Sequence, residues 1–249
     1  SAMFASYANS VTPKTGTTGD VKAIEAAVID QYEVGIKKDF WNGILSTNIT
    51  VYQITNSNLA QTAEFKADGV TPNTDTNIKV LNGETKSKGF EIDITAKPIE
   101  GLNITAGYSY NDSRFSKTNI VNGGFIEGDR LTRTPANTAN LSFFYTLQSG
   151  KLKGISVGAI ANYIGDRLGG WNDQYVVNPT TGAVTINDRD IPLQGYTNID
   201  ISAGYTYKKW SILCKLSNIT NELNYTVHEN YSVNPIAPRQ IMTSLKYKF

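Results

Sequence analysis

The chain has 249 residues, enough for one large β domain or two ordinary ones. Its formal net charge of +1 gives no global basic field for nucleic acid, and its one cysteine (Cys214) and one histidine (His228) exclude an internal disulfide and leave little for a metal cluster or a histidine relay. The hydrophobic fraction is 40%, but 14 tyrosines and many Asn, Thr and Ser favour strands with one apolar and one wet face.

Ten segments have the period-two alternation of β-strands. In chain order the predicted strands are residues 4–11, 32–40, 45–54, 89–96, 102–110, 139–147, 155–164, 198–207, 211–219 and 240–249. In the last of these, Ile241 and Leu245 fall on one face and Lys246 on the other. Helical periodicity is confined to residues 21–29. The sequence therefore predicts an all-β, antiparallel fold.

Short and long connections alternate strictly along the chain. The short ones contain Trp41-Asn42-Gly43, residues 97–101, Ser149-Gly150-Lys151 and Lys208-Lys209-Trp210. The long ones, residues 12–31, 55–88, 111–137, 165–197 and 220–239, are rich in Gly, Asn, Asp, Thr and Pro and are predicted to be loops. Outer-membrane β-barrels have short periplasmic turns and long extracellular loops, whereas a soluble sandwich has no reason to alternate loop length. The pattern favours the membrane barrel.

The two faces of the predicted strands support the same interpretation. A strand in lipid satisfies its backbone through its neighbours, so the sheet must close, with one face toward hydrocarbon and one toward the lumen. The polar face carries Glu91, Asp93, Asp200, Lys215, Lys246 and Lys248, which suit a wide, wet or plugged lumen. Aromatic residues near strand ends fit an interfacial girdle: Phe40, Trp41, Tyr207, Trp210, Tyr247 and Phe249.

Several segments, in order along nearly the whole chain, resemble the C-terminal half of TonB-dependent receptors of the siderophore class. They are residues 4–13 (FASYANSVTP), 31–38 (QYEVGIKK), 42–45 (NGIL), 83–91 (GETKSKGFE), 101–110 (GLNITAGYSY), 128–135 (GDRLTRTP), 216–221 (LSNITN) and 238–249 (PRQ to the terminal Phe). Asn137 stands where that family commonly has His. Each motif is weak alone, but their order and spacing are specific.

The resemblance implies a plugged barrel of about 22 strands. Residues 4–249 would then be its C-terminal portion, without the plug and the earlier strands, and Ser1-Ala2-Met3 would be an expression scar. It also implies a protein of the bacterial outer membrane, in contact with lipid, that imports a ferric siderophore or similar metal chelate with energy from the TonB complex acting through the plug. No cofactor of its own is expected. The terminal strand, with Leu245, Tyr247 and Phe249, resembles the signal read by the barrel-assembly machinery.

Ligand contacts in this family lie in the extracellular loops and the upper lumen wall. By that analogy, the candidate contacts are Trp171, Tyr175, Tyr225 and Tyr231, whose rings suit stacking on catecholate or hydroxamate ligands. Arg167 and Arg189 are candidates for pairing with an anionic chelate. Ordinary loop packing explains each of them equally well.

Two other functions are weighed against transport. An outer-membrane enzyme needs a histidine paired with acidic residues or a serine, and His228 has no supporting motif. Loss of all activity on peptide or lipid in a His228→Ala variant would favour the enzyme. A passive porin predicts ion conductance without a plug or an energy source. The sequence favours a transport receptor, not an enzyme.

Overall fold

The computed structural model describes residues 1–13, 25–66, 68–75, 77–118, 126–171, 175–177, 180–182, 184–186, 190–229 and 232–249. Within these ranges the chain forms 16 β-strands and one 3-10 turn at Trp41–Gly43. In this part of the chain no helix has the length and apolarity needed to cross a membrane.

Ten strands form one antiparallel sheet in the order β1-β2-β3-β4-β5-β6-β7-β12-β13-β16. They are β1 (Ala2–Thr12), β2 (Ala27–Phe40), β3 (Leu45–Thr62), β4 (Lys79–Ala96), β5 (Leu102–Lys117), β6 (Asn137–Thr146), β7 (Ile155–Ile164), β12 (Tyr196–Tyr207), β13 (Trp210–Ser217) and β16 (Gln240–Tyr247). The other strands are short: β8 (Arg167–Trp171), β9 (Tyr175–Val177), β10 (Val184–Ile186), β11 (Asp190–Leu193), β14 (Tyr225–Glu229) and β15 (Ser232–Pro235).

The ten predicted strands are confirmed, but three of them are much longer than predicted. β3 continues to Thr62, β4 already begins at Lys79 and β5 continues to Lys117, so parts of the segments predicted as loops are paired strand. These extensions are mostly polar on both faces, with Lys86 opposite Thr55 and Arg114 on one face and Ser87 opposite Ser113 on the other. They therefore lack the alternation that marks a strand in the sequence.

At the N-terminal end, the structure departs from one further expectation. Ala27–Ile29, the end of the segment with helical periodicity, belongs to β2, while residues 14–24 lie outside the described part of the chain. Ala2 and Met3 pair with Lys37 and Ile36 in the first rungs of β1, and the expression scar over residues 1–3 stays a prediction.

The ten-stranded sheet has two edges. β1 pairs only with β2 and β16 only with β13 among the described residues, so the sheet is open at both sides. A sheet edge presents unpaired N–H and C=O groups, which hydrocarbon cannot satisfy.

One face of the sheet is apolar and exposed. A continuous row crosses six strands from Ile104 through Phe143, Ala159, Ile201 and Leu216 to Ile241. Ile241 is 73% exposed and Leu245, on the same face, is 65% exposed. Among the described residues, Ala27 is the only fully buried apolar side chain. Large apolar side chains are thus displayed on the sheet surface instead of packed into a core, the arrangement expected where the solvent is lipid.

The opposite face is polar, and two of its carboxylates have side-chain partners on neighbouring strands. A row of amides and a carboxylate runs across the sheet from Asn48 through Asp93 to Asn140, Asn162 and Asn198. Asp200 forms an ion pair with Lys215 at 2.6 Å, and the Asn48 amide donates to Asp93 at 3.3 Å. These pairs confirm the predicted wet side of the sheet.

Aromatic residues lie on the apolar face near both ends of the sheet. At the short-turn end, Trp210 contacts Tyr247 with ring centroids 4.7 Å apart. At the other end, Tyr7 contacts Tyr32 at 5.0 Å. Tyr32 and Phe40 lie eight residues apart on β2, about 26 Å along the strand and about 20 Å along the membrane normal at a tilt of ~40°. This spacing approaches the ~25 Å height of the apolar band in outer-membrane barrels.

Candidate ligand-binding site

The long connections at one end of the sheet contain paired strands of their own. β8 pairs with β11 and β9 with β10 in the connection between β7 and β12, and β14 pairs with β15 between β13 and β16. The sequence predicted these segments as loops without strands, because strands of three to five residues are too short for alternation to register.

Arg167 joins the bases of two of these connections. Its side chain is buried, with 8% exposure, at the start of β8. One terminal nitrogen donates to the carbonyl of Gln194 at 3.3 Å, and the other donates to the carbonyl of Tyr225 and to Oδ1 of Asn224 at 3.3 Å. The guanidinium also lies over the Tyr196 ring, 5.5 Å from its centroid. The planar fork of donors thus bridges the β7–β12 and β13–β16 connections.

The same junction has further hydrogen bonds. The Asn224 amide donates to the carbonyl of Gln194 at 3.3 Å, and the backbone N–H of Gly195 donates to Oδ1 of Asp166 at 2.7 Å. The N–H of Arg133 donates to the carbonyl of Leu168 at 2.8 Å, which adds the β5–β6 connection. Three connections are therefore tied together where they leave the sheet.

A small cavity lies at this junction. Its volume is about 160 Å³, and it is lined by Arg130, Leu131, Thr134, Asp166, Arg167, Leu168 and Pro192. Pockets for small-molecule ligands usually measure ~300–1,000 Å³. The junction thus suits a role in positioning the loops, and it is too small to enclose a metal chelate.

Asn218 organises the turn that follows β13. It is 2% exposed and adopts a left-handed backbone conformation with φ of 50°. Its side-chain amide donates to the carbonyls of Glu222 and Ala237, both at 2.9 Å, and its Oδ1 accepts from the N–H of Glu222 at 2.8 Å. Its own N–H donates to Asp200 at 2.9 Å. Asn218 thus connects the polar wall to both ends of the β13–β16 connection.

The structure unites only two of the six predicted ligand contacts, Arg167 and Tyr225, through the guanidinium–carbonyl bond. Trp171 ends β8 and Tyr175 begins β9, but their side chains are not among the described features. Arg189 and Tyr231 lie outside the described residues. The predicted assembly-signal residues Leu245 and Tyr247 lie on the apolar face of β16, and Phe249 follows that strand.

Sequence reasoning missed three polar atoms on the inner wall. The side-chain oxygens of Asn48, Asn56 and Asn198 are buried and have no hydrogen-bond partner within the described part of the chain. All three lie on the polar face by strand register. A buried amide oxygen without a partner is costly, and because neighbouring atoms cover these three, the cost is borne inside the wall itself.

An antiparallel sheet with an exposed apolar face, a polar opposite face and long connections gathered at one end defines the wall of an outer-membrane β-barrel. The chain belongs to the TonB-dependent receptor-like β-barrel family, whose model matches residues 1–220. Members of this family are bacterial outer-membrane proteins, and they are transport receptors rather than enzymes.

Two curated relatives illustrate the similarity. The chain is 25% identical over 99% of its length to the metal-pseudopaline receptor CntO of Pseudomonas aeruginosa, and it covers 31% of that protein. It is 26% identical over 82% of its length to the ferrioxamine B receptor of Salmonella typhimurium, and it covers 25% of that protein. The chain thus spans less than a third of either receptor.

Solved structures share the fold at lower identity. BauA, the ferric preacinetobactin receptor of Acinetobacter baumannii, matches 99% of this chain with a TM-score of 0.78 and 20% identity, and 34% of BauA is covered. The ferripyoverdine receptor of Pseudomonas aeruginosa matches 99% of this chain with a TM-score of 0.75 and 22% identity, and 31% of it is covered.

Proposed function

We propose that this chain is the C-terminal part of the barrel of an outer-membrane receptor that binds a ferric siderophore or similar metal chelate and imports it with energy from the TonB system. The observation that carries the proposal is the match of residues 1–220 to the receptor barrel family. Curated relatives named as receptors for metal-pseudopaline, ferrioxamine and ferric pyoverdine support the ligand class.

The hydrogen-bonded junction around Arg167 supports a ligand-binding role for the end of the sheet that carries the long connections. A ligand captured there must find its contacts already positioned, because ordering loops at the moment of binding lowers affinity. Arg167 and Asn218 hold the β7–β12 and β13–β16 connections by buried hydrogen bonds. In the proposal, Tyr225 contacts the ligand, together with the other contacts predicted from the sequence, Trp171, Tyr175, Arg189 and Tyr231.

The polar face of the sheet supports the proposal that a plug fills the barrel. The face that a plug would contact carries a polar row across the sheet, with Asn48 opposite Asp93 and Asn140 opposite Asn162. We propose that the complete protein has such a plug and further strands beside the β1 and β16 edges, and that the plug links the receptor to TonB. The apolar face of β16, with Leu245, Tyr247 and Phe249, is the proposed contact of the barrel-assembly machinery.

Uptake of labelled iron tests the proposal. Cells that make the complete receptor are given radioactive iron bound to ferrioxamine B or to pyoverdine, with and without an uncoupler of the proton gradient. Binding of at least one chelate is expected to persist under the uncoupler while uptake stops. Uptake that continues without the gradient, together with ion conductance by the purified protein, would favour the passive porin and overturn the proposal.

A second experiment tests the loop aromatics. Tyr225→Ala is expected to weaken chelate binding about tenfold or more, because ring stacking on a ligand contributes roughly 1–3 kcal/mol when measured by alanine substitution. Tyr207→Ala is the matched control, since Tyr207 lies at the opposite end of the sheet beside the short turn. Equal affinity of both variants and the parent protein would remove Tyr225 from the ligand site.

A further inference from the structure

A groove runs along the apolar face near the short-turn end, between β7, β12 and β13. Its volume is about 560 Å³, and its lining is almost wholly apolar: Leu152, Ile155, Ala203, Gly204, Tyr205, Ile212 and Cys214. Ala203 and Cys214 are cross-strand partners and form a low floor, because their neighbours Ile212 and Tyr205 are larger. The small pair thus leaves a shallow groove that is bordered by Ile155, Tyr205 and Ile212.

The two turns below this groove are basic and contain no acidic side chain. Residues 147–154 include Lys151 and Lys153, and the next turn is formed by Lys208 and Lys209. The N–H of Thr206 donates to the carbonyl of Gly154 at 3.0 Å, which fixes the turns side by side. The two turns at this end of the groove therefore carry four lysines and no acidic residue.

Two of these cations lie on the outer side of the sheet. The Lys208 ammonium lies 5.2 Å from the centroid of the Tyr207 ring, and the Lys209 ammonium lies 5.8 Å from that of Tyr247. Tyr207 and Tyr247 both belong to the apolar face, because Trp210 pairs with each of them across the sheet. The charges therefore stand at the height where lipid headgroups meet hydrocarbon.

We propose that this groove is a binding site for an anionic phospholipid of the periplasmic leaflet. One acyl chain would lie over Ala203 and Cys214, and the phosphate would contact Lys208 and Lys209. Burial of the chain gives no net hydrophobic gain in a bilayer, so preference for this site must come from shape and from attraction between the phosphate and the lysines. The negative charge of the phospholipid headgroup is therefore the property by which the site selects its ligand.

Native mass spectrometry of the complete receptor in detergent tests the proposal, with phosphatidylglycerol and phosphatidylcholine as probes. Phosphatidylglycerol is expected to bind at least tenfold more tightly than phosphatidylcholine. The double change Lys208→Glu and Lys209→Glu should remove this preference, while Lys97→Glu, in another short turn, should retain it. Ala203→Leu fills the groove floor and should weaken phosphatidylglycerol binding several-fold, unlike its control Ala106→Leu elsewhere on the apolar face.

Three outcomes would overturn the assignment. Equal binding of the two lipids would remove the role of charge. Unchanged phosphatidylglycerol affinity in both the Lys208→Glu/Lys209→Glu and Ala203→Leu variants would place the lipid elsewhere. A stable dimer in the same spectra that is lost in Ala203→Leu would make the groove an interface between copies. None of these outcomes depends on chelate import, so they leave the proposed function unaffected.

Discussion

The Arg167 guanidinium donates a hydrogen bond to the backbone carbonyl of Tyr225, 58 residues further along the chain. This contact joins two connections that lie far apart in the sequence. A buried cation that is satisfied by carbonyl and amide oxygens is a structural tie, and losing its donors removes hydrogen bonds that hold the two connections together.

Replacement of Arg167 by Met is expected to loosen the β13–β16 connection. The carbonyl of Tyr225 loses its donor, at a cost of roughly 1–3 kcal/mol for a buried acceptor, while the carbonyl of Gln194 keeps only its bond from the Asn224 amide. Limited proteolysis of the complete receptor without ligand should show faster cleavage within residues 218–239. Arg167→Lys should not restore protection, because one ammonium cannot reproduce the fork of donors.

Arg133→Met is the matched control, since Arg133 is an exposed arginine of the neighbouring connection. The protease should cleave this variant at the same rate as the parent protein. Weaker chelate binding in Arg167→Met with an unchanged cleavage pattern would contradict the structural role. It would instead support the prediction that Arg167 contacts the ligand.

Replacement of Asn218 should destabilise the turn after β13. Asn218→Ala removes the side-chain hydrogen bonds to Glu222, Ala237 and Thr220 and puts a less tolerant residue at a φ of 50°, so we expect a loss of about 2–4 kcal/mol. Asn218→Gly keeps the backbone conformation and loses only the hydrogen bonds, so it should cost less than Ala. Urea unfolding of the lipid-reconstituted receptor measures both. A Gly variant as damaged as Ala would show that backbone strain contributes nothing.

Adjacent residues of β6 test the assignment of the two faces. Leu141 is 51% exposed on the apolar face, and its neighbour Asn140 points to the polar side. Leu141→Arg should cost roughly 2–4 kcal/mol, as measured for arginine near the middle of a bilayer, while Asn140→Arg should cost far less. Unfolding in lipid vesicles measures the difference. Equal costs would show that β6 does not have one lipid-facing side.

A pH effect is expected in the β3–β4 connection, outside the membrane. The hydroxyl of Thr71 and the N–H groups of Val70 and Thr71 donate to Asp68, and these bonds lower the pKa of its carboxyl to about 2. Because the folded pKa lies below the ordinary value near 3.8, this stabilisation is complete above about pH 4 and disappears as the pH falls toward 2.

Hydrogen exchange of the Val70 and Thr71 amides, corrected for the intrinsic pH dependence, measures this loss. Protection should fall between pH 4 and pH 2 in the parent protein. In Asp68→Asn the same window should show no change, since the amide does not titrate. A parallel loss in both proteins would assign the effect to another group.

The fold was predictable because alternation is a local property. Each of the ten long strands carries its own two-faced pattern, as in Ile241 and Leu245 against Lys246, so no knowledge of neighbouring strands was needed to find it. Alternation failed where both faces are wet, in the extensions of β3, β4 and β5, and in hairpins as short as β9–β10. There, pairing depends on the partner strand and leaves no apolar signal.

The candidate ligand site was harder to predict from the sequence than the fold was. Tyr225 and Arg167 were selected for their chemistry, which says nothing of whether a side chain points to a ligand or ties two loops together. Asn218 was visible only as part of a family-like segment, and the unpartnered oxygens of Asn48 and Asn198 had no signal at all. Burial and hydrogen-bond partners are properties of the assembled sheet.

By itself, the sequence determined that the strands have an oily and a wet side and that long and short connections alternate, because both features are encoded within each segment. Only the tertiary structure decided which connections meet and where the apolar face is indented. Contacts such as Arg167 with Tyr225 and Ala203 with Cys214 depend on strand register and loop closure, which bring distant residues together.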